Sequence, residues 1–201
     1  MNDPFLKKYK PHKYKDFVID TELIGLLNTL IDIDILNILF VGNSSSGKSS
    51  LLDATIREYY NCDIIPVENV LYINNLHEQG ISYYRNEVKT FCQTPNCMND
   101  KKKFIILDDI DTINEQSQQV FRNCIDKYNH IVNFIASCKN TQKVVESIQS
   151  RCTIIKIRPI EIELLKKILF KIRDAENIDI TKSAENFILN ISSNSIRVLI
   201  N

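Results

Sequence analysis

An eight-residue segment in the first quarter of the chain limits the possible folds more than any other feature. It matches the pattern G-x-x-x-x-G-K-[ST] at every position, and its residues are Gly42, Asn43, Ser44, Ser45, Ser46, Gly47, Lys48 and Ser49. Such a segment forms a loop whose backbone N–H groups point inward at phosphate oxygens. The apolar run 35–41 precedes it, and a helical pattern over 48–60 follows it. Strand, loop and helix in this order predict a phosphate-binding loop in an α/β fold.

The residue types in this loop indicate what it can bind. Lys48 is expected to contact the β- and γ-phosphates of ATP, and the Ser49 hydroxyl to bind Mg²⁺. Ser50 follows directly and is counted with the loop as a nucleotide contact. The N-terminus of the following helix adds its positive dipole. A serine-rich turn without a ligand is the alternative, but the complete match between a strand and a helix favours nucleotide binding.

A second feature with chemical meaning is the acidic end of an apolar run. The run 104–107 is followed directly by Asp108 and Asp109. A phosphate-loop protein needs an acidic residue at such a strand end to hold Mg²⁺, and a second one can orient the attacking water. We therefore expect Asp108 to be a magnesium residue, and Asp109 to be catalytic together with Lys48. The alternative is that the two carboxylates only end a strand and begin a loop.

The pattern along the chain predicts an α/β domain followed by a helical one. Apolar runs typical of buried parallel strands alternate with helical patterns. The predicted strands are 35–41, 70–73, 104–107, 131–137 and 153–157, and the helices between them are 48–60, 82–91, 115–128 and 144–149. Later patterns are all helical, at 161–173, at 181–191 with Thr181 as the N-cap, and at 195–201. We expect a first domain over residues 1–158 and a second over 159–201.

The composition limits the possible environments and partners. The formal net charge is +0, so any contact with DNA has to come from a local basic patch. No stretch approaches the ~18 apolar residues that a membrane span needs, and no apolar segment of a secretory signal follows the lysine-rich N-terminus. We therefore expect a cytoplasmic or nuclear protein without a membrane partner that is not secreted. The spacing of the six cysteines does not suit a zinc site, which predicts reduced thiols.

Further segments resemble the small subunits of replication factor C, the clamp loaders among the AAA+ ATPases. In the order of that family, these segments are 6–11 (LKKYKP), 16–18 (DFV), 73–86, 118–122 (QQVFR), 148–152 (IQSRC) and 195–201 (SIRVLIN). The triplet Ser150, Arg151 and Cys152 together with the phosphate loop is the most specific combination. The resemblance covers essentially the whole chain, although 74–77 keep only the Asn of the family's N-A-S-D.

The resemblance implies a fold and a function. The fold is a P-loop AAA+ base domain with a five-stranded parallel sheet over residues 1–158, followed by a partial helical lid over 159–201. The function is to couple the binding and hydrolysis of ATP, with Mg²⁺, to the loading of a ring-shaped clamp on primer–template DNA in replication. The partners are other clamp-loader subunits in a hetero-oligomer, the sliding clamp and the DNA. The family carries a third, collar domain, which we expect this chain to lack.

The resemblance also implies roles for residues outside the phosphate loop. Tyr9, Pro11 and Val18 belong to a segment that lies beside the adenine of ATP in the family. Arg151 corresponds to the arginine finger, which reaches the γ-phosphate bound by a neighbouring subunit, and Arg197 to the lid arginine that couples the nucleotide to the lid angle. From spacing alone, the alternatives are a surface arginine that closes a turn and a solvated helix residue.

Lys7 replaces an acidic residue of the family's pattern, and two further departures bear on hydrolysis. Asp109 stands where active members carry Glu, and this shorter carboxylate predicts slow or absent hydrolysis, because a misplacement of ~1 Å can cost ~10²-fold in rate. Lys139 aligns without gaps on the sensor Asn at the end of the fourth strand, and Asn140 is the next residue. One alternative function is therefore a non-hydrolysing structural subunit that donates Arg151 to an active neighbour. Another is a different AAA+ DNA-processing ATPase.

Three basic residues are candidates for contact with DNA phosphates. Arg85 and Lys89 are four positions apart and lie on one face of a predicted helix, and Arg122 lies on the helix after the acidic strand. Ordinary solvated helix charges are the alternative interpretation. The lysine clusters at 7–15 and 101–103 are interpreted as solvated loops.

Overall fold

A single parallel sheet lies at the centre of the protein. The computed structural model describes residues 4–18, 21–73, 81–96, 98 and 101–200. Within these residues the strands pair in the order β2-β3-β4-β1-β5. They are β1 (Ile38–Val41), β2 (Val70–Ile73), β3 (Lys103–Leu107), β4 (Val132–Cys138) and β5 (Thr153–Lys156). The predicted five-stranded parallel sheet is therefore confirmed.

Helices surround the sheet and continue beyond it. Those of the α/β part are α1 (Phe5–Lys8), α2 (Thr21–Asp32), α3 (Lys48–Tyr60), α4 (Ile81–Gln93), α5 (Glu115–Tyr128) and α6 (Glu146–Gln149). Those after the sheet are α7 (Ile162–Glu176), α8 (Lys182–Ser192) and α9 (Ile196–Ile200). The helical part predicted after the sheet is therefore present, whereas the boundary at residue 158 stays a prediction.

The two faces of the sheet are covered by different pairs of helices. Successive strand residues point to opposite faces, so one strand contributes to both cores. In β3, Phe104 and Ile106 cluster with buried residues of α2 and α3, whereas Ile105 and Leu107 cluster with those of α4 and α5. Every residue of β3 and β4 is buried. Because β1, β3 and β4 pair in parallel, their carboxyl ends meet at one edge of the sheet, where ligands of such folds bind.

Several boundaries differ from those predicted by the sequence, and one helix was not predicted. Helix α2 ends at Asp32, and the chain turns through Asp34, whose φ is 54°. The strand β1 therefore begins at Ile38 rather than at residue 35, and Ile35 is 53% exposed. The helix α2 itself, which buries Leu27 and Leu30 against the sheet, had no counterpart in the sequence analysis.

The helices after the sheet have a small core of their own. It contains Leu165, Leu169, Leu189 and Leu199, which come from α7, α8 and α9. Thr181 is the N-cap of α8, as predicted, and its hydroxyl accepts a hydrogen bond of 3.3 Å from the Ala184 N–H. Of the helices in the described residues, none is long and apolar enough to cross a membrane.

The interpretation of 101–103 as a solvated loop is wrong for Lys103. This side chain is only 2% exposed, and its ammonium donates to the carbonyl oxygens of Phe91 and Thr94 at 2.9 and 2.7 Å. It also donates to the Thr94 hydroxyl at 2.7 Å and lies over the Phe91 ring. Lys103 therefore donates to carbonyl groups at the end of α4, where the last carbonyls of a helix have no N–H donor within the helix.

Candidate nucleotide site

The phosphate loop connects β1 to α3 at the central edge of the sheet. Its backbone enters the left-handed region at Ser45, with a φ of 61°, and at Gly47, with a φ of 91°. Gly42 has no room for a side chain, because a Cβ there would lie 3.0 Å from the Ile157 carbonyl oxygen. The Gly42 N–H donates to the Cys138 carbonyl at 3.1 Å, which holds the start of the loop against the end of β4.

Lys48 occupies the interior of this loop. Its side chain is 6% exposed, and its ammonium donates to the carbonyl oxygens of Gly42 and Asn43 at 2.8 Å each. Burial lowers the pKa of Lys48, while the nearby charges of Asp109 and Asp108 act in the opposite direction. A cation held in this way at a helix N-terminus is suited to bind phosphate oxygens.

A hydroxyl and a carboxylate meet beside the loop. Ser49 donates to Asp108 Oδ2 at 2.6 Å, and Ser137 donates to Asp108 Oδ1. Mg²⁺ prefers oxygen ligands and keeps several waters, so Ser49 and Asp108 fit this ion. The buried hydroxyl of Ser46, another residue of the loop, has no hydrogen-bond partner within the described structure. The donor set therefore suits a magnesium–phosphate ligand.

Asp109 lies next to Asp108 but makes different contacts. Its φ is 53°, and its backbone N–H donates to the Ser137 hydroxyl at 3.1 Å. The ammonium of Lys139 lies 3.6 Å from Asp109 Oδ2. Asn140 instead accepts a hydrogen bond from the Gln142 N–H at 2.9 Å and caps a short turn. Lys139, and not Asn140, is therefore the residue that the structure brings to the phosphate loop.

A cavity of about 860 Å³ opens in front of these groups. Its wall includes the phosphate loop, the N-terminal segment, α2, β5, α7 and α9. The predicted site residues in the wall are Tyr9, Pro11, Val18, Ser44, Ser45, Ser46, Gly47, Lys48, Ser49, Ser50, Asp109 and Arg197. Gly42 and Asn43 contribute through their contacts with Lys48, and Asp108 through its contact with Ser49. These predicted nucleotide contacts thus lie together around one space.

Arg151 belongs to a different part of the surface. It follows α6, and its guanidinium donates to the Asp126 carboxylate on α5 and to the Ser147 carbonyl at 2.7 Å. The described wall of the cavity does not include it. The hydrogen bond from Arg151 lowers the pKa of Asp126. In this structure Arg151 is therefore engaged by α5 and α6 and does not line its own nucleotide cavity.

The three candidate DNA contacts are on adjacent helices. Arg85 and Lys89 are exposed on α4, and α4 packs on α5 where Cys92 Sγ lies 3.5 Å from Cys124 Sγ. Arg122, on α5, forms an ion pair of 3.3 Å with Asp126, the residue that also binds Arg151. Arg122 therefore has a structural partner, and contact of all three residues with DNA stays a prediction.

Sequence reasoning missed the contacts that attach the N-terminal segment. Glu176, at the end of α7, accepts hydrogen bonds from Tyr9 at 2.5 Å and from Lys8 at 2.6 Å. Lys10 forms an ion pair of 2.6 Å with Asp53 of α3. These contacts connect residues that are far apart in the chain, so no local pattern indicates them. The contacts with Glu176 join the N-terminal segment to α7, and the ion pair with Asp53 joins it to α3. All three elements contribute to the wall of the cavity.

The fold and the site define a class of nucleotide-binding protein, and comparison with known proteins gives the same class. Residues 38–159 match the family described as "ATPase family associated with various cellular activities (AAA)". This match covers more than half of the chain, and the chain therefore belongs to the AAA family.

Relatives with a more specific description match the whole chain. The replication factor C small subunit of Methanococcus vannielii is 31% identical over 202 aligned residues, and that of Methanosphaera stadtmanae is 30% identical over 206. Each alignment covers 100% of this chain, which spans 64% and 62% of the two relatives. The resemblance to replication factor C small subunits, inferred from the sequence segments, is confirmed.

Solved structures with the same fold come from Thermotoga maritima. The RuvB Holliday junction branch migration motor matches with a TM-score of 0.74 at 14% identity, covering 96% of this chain and 63% of its own. A DNA polymerase III gamma subunit-related protein matches with a TM-score of 0.57 at 19% identity, covering 74% of this chain and 52% of its own. At these identities the likeness shows the fold alone, and it confirms the predicted AAA+ fold.

Proposed function

We propose that this chain is an ATP-binding subunit of a sliding-clamp loader. It would couple the binding and hydrolysis of ATP to the loading of a ring clamp on primer–template DNA, as part of a hetero-oligomer at the site of replication in the cytoplasm or nucleus. The observation that carries the proposal is the position of Lys48, whose buried ammonium lies inside a complete phosphate loop that opens into the cavity. The replication factor C relatives support the specific role.

The chain's own residues have separate tasks in this proposal. The loop from Gly42 to Ser50 would bind the phosphates through its N–H groups and Lys48, and Tyr9, Pro11 and Val18 would contact the adenine. Ser49 and Asp108 would hold Mg²⁺, which neutralises phosphate charge when bound. Asp109 would orient the attacking water, and Arg197 would contact the nucleotide from the lid side.

Contacts outside the cavity would serve the assembly. Arg151 would act as the arginine finger of the adjacent subunit's site; in support, it does not line its own cavity and its guanidinium is held by Asp126. Arg85, Lys89 and Arg122 would contact DNA phosphates. None of these four side chains lies in the described wall of the cavity; Arg85 and Lys89 are exposed, whereas Arg122 and Arg151 would have to leave Asp126 or share it with a partner.

A second candidate function is a subunit that binds ATP without hydrolysing it. The observation in its favour is the ion pair between Lys139 and Asp109, since it engages the carboxylate that would orient water. Single-turnover hydrolysis in the assembled complex separates the two candidates. ATP consumed at this site supports the active subunit, and ATP that is bound but never consumed there supports the structural one.

Nucleotide binding is tested with Lys48→Ala in the full 201-residue chain. Loss of the ammonium should weaken MgATP binding by about 10- to 100-fold, the equivalent of one charge-assisted hydrogen bond of about 1.5–3 kcal/mol. Isothermal titration calorimetry gives the affinity, and thermal unfolding without nucleotide gives the stability. Lys143→Ala, an exposed lysine outside the described cavity wall, is the control.

Clamp loading is tested with the same variant in the complex that co-purifies with the chain. A complex that contains Lys48→Ala should load the clamp on primed DNA more slowly than the unmodified complex. MgATP affinity that is equal in Lys48→Ala and in the unmodified chain would refute the nucleotide site. Intact nucleotide binding in a chain that never associates with clamp-loader subunits would refute only the specific role.

A further inference from the structure

Two cysteine side chains contact each other where α4 packs on α5. Cys92 lies in the last turn of α4 and Cys124 in the second half of α5, and their sulfur atoms are 3.5 Å apart. Both residues are buried, with exposed fractions of 2% and 5%, in a cluster that also contains Val88 and Phe121. The two sulfurs are therefore at contact distance before any bond forms between them.

This contact is close to what a disulfide bond requires. Such a bond is ~2.05 Å long, so the two sulfurs have to approach each other by about 1.5 Å. No third atom fits between them at their present distance, and changes in side-chain torsion angles with a small shift of α4 can close the gap. Cys92 is the last residue but one of α4, and helix ends fray. Fraying at this end would also give a small oxidant access to the pair.

The two thiols are not equivalent. A hydrogen bond from the Cys124 thiol lowers the pKa of Cys92, and the positive charge of Lys103 acts in the same direction against the effect of burial. The same hydrogen bond, together with burial, raises the pKa of Cys124. Burial also raises the pKa of the other cysteines within the described residues, which are Cys62, Cys138 and Cys152. The thiolate is the reactive form of cysteine, so Cys92 is expected to react first.

We propose that Cys92 and Cys124 form a reversible disulfide between α4 and α5 when the protein is exposed to hydrogen peroxide. The Cys92 thiolate attacks one peroxide oxygen and the O–O bond breaks, so that Cys92 becomes a sulfenic acid and the other oxygen leaves as hydroxide, which takes up a proton. The Cys124 sulfur then attacks the sulfenic sulfur, the S–O bond breaks, and the hydroxyl leaves as water with the Cys124 proton. Two thiols are oxidised to one disulfide, and one hydrogen peroxide is reduced to two waters.

The bond would connect the two helices that carry the candidate DNA contacts. Arg85 and Lys89 lie on α4, and Arg122 lies on α5. Neither Cys92 nor Cys124 is in the described wall of the nucleotide cavity. The disulfide would therefore fix α4 and α5 relative to each other without contact with the nucleotide. Disulfides in reducing compartments are usually transient and often sense oxidants, which fits a bond that forms only under oxidation.

The test identifies the bonded cysteines in the folded chain after treatment with hydrogen peroxide. Trypsin leaves Cys92 and Cys97 together in the peptide 90–101 and Cys124 in the peptide 123–127, so the full chain with Cys97→Ser is used. Mass spectrometry without reduction should show the two peptides joined, with the loss of two hydrogen atoms. The bond should raise Tm by roughly 4–16 °C, because it closes a loop in the unfolded chain. Dithiothreitol should separate the peptides and reverse the shift in Tm.

The controls distinguish a bond made by the fold from general oxidation. Cys62→Ser changes a thiol outside the pair and should leave the joined peptides unchanged, whereas Cys92→Ala or Cys124→Ala should abolish them. The preference for this pair should disappear in urea, because the fold no longer holds the two sulfurs together. A disulfide between other cysteines of the folded chain, oxidation of Cys92 without a bond to Cys124, or no reaction of either would overturn the inference. MgATP affinity should be the same in the bonded and reduced chains, so the inference is tested independently of the proposed nucleotide site.

Discussion

At the scale of single residues, Gly42 and Gly25 have opposite surroundings. A Cβ at Gly42 would lie 3.0 Å from the Ile157 carbonyl oxygen and 3.1 Å from Ser46 Oγ. The serine hydroxyl can turn away, but the Ile157 backbone is held, because its N–H donates to the Val41 carbonyl at 2.7 Å. A Cβ at Gly25, which is exposed on α2, would meet nothing within 4 Å.

Adding one methyl group at each glycine should change stability in opposite directions. Gly42→Ala should lower the free energy of unfolding by about 1–3 kcal/mol, because the new side chain is overpacked. Gly25→Ala should raise it by about 0.5–1 kcal/mol, because glycine loses more backbone freedom than alanine in a helix. Urea unfolding of both variants and of the unmodified chain measures the two changes. Changes of the same sign would mean that the backbone around Gly42 yields to the added methyl group.

The residues of the site differ in how far the sequence could predict them. Lys48, Ser49 and Asp108 belong to patterns in which every position has a chemical reason, and the structure places them together. Ser137 could not be predicted, because a serine within a buried strand has no distinguishing pattern. Only the pairing of β3 with β4 brings its hydroxyl to Asp108. The roles of these residues in binding and catalysis stay predictions.

At the scale of elements, the end of α4 depends on a lysine from another element. Lys103, the first residue of β3, donates to the carbonyl oxygens of Phe91 and Thr94. Lys103→Met should lower the free energy of unfolding by about 1–3 kcal/mol, because these buried acceptors lose a donor. Guanidinium unfolding measures the change.

The control for this prediction is on the same helix. Lys89→Met changes an exposed side chain of α4 and should alter the free energy of unfolding by no more than about 0.5 kcal/mol. An equal effect of Lys89→Met and Lys103→Met would contradict the capping role. Hydrogen exchange adds a local measurement, since Lys103→Met should increase exchange most strongly in the last turn of α4.

Elements were predictable where their pattern was strong and local. The strands β3 and β4 are buried throughout, and their continuous apolar runs are typical of central parallel strands. The helices α3 and α5 have the bounds that the periodicity predicts. The helix α2 could not be assigned from its flanks, because its apolar residues run almost without interruption into 33–41. Three lysines in succession indicated solvent, and only the packing of α4 on the sheet buries Lys103.

At the scale of the whole molecule, the cavity is formed by segments that are distant in the chain. Tyr9 comes from the N-terminal segment and Arg197 from α9, and both form the cavity wall with the phosphate loop. The carboxylate of Glu176 holds the N-terminal segment to α7. No periodicity indicates such long-range contacts, so only the family resemblance predicted that Tyr9 and Arg197 belong to the site.

The proposed role of Arg151 belongs to an assembly rather than to the single chain. Its guanidinium is oriented by the Asp126 carboxylate and the Ser147 carbonyl, on a surface formed by α5 and α6. A guanidinium is always charged and can contact two oxygens at once, which suits the stabilisation of phosphate charge. The described wall of its own cavity does not include Arg151, which agrees with the proposal that the group serves a neighbouring subunit's site.

Arg151→Ala should therefore separate binding from turnover. The variant chain alone should bind MgATP as tightly as the unmodified chain, because the residue lies outside its own site. In the complex that co-purifies with the chain, the substitution should lower turnover at the adjacent subunit by roughly 10³-fold or more, the usual contribution of an arginine finger.

This loss of turnover should persist when the chain's own site is disabled by Lys48→Ala. The control Arg173→Ala changes another arginine outside the described wall and should not reproduce the loss. Single-turnover kinetics with each site labelled measures the effect. A variant that loses its own MgATP affinity while the neighbour's turnover stays normal would show that Arg151 serves its own site, and the proposed assembly role would be wrong.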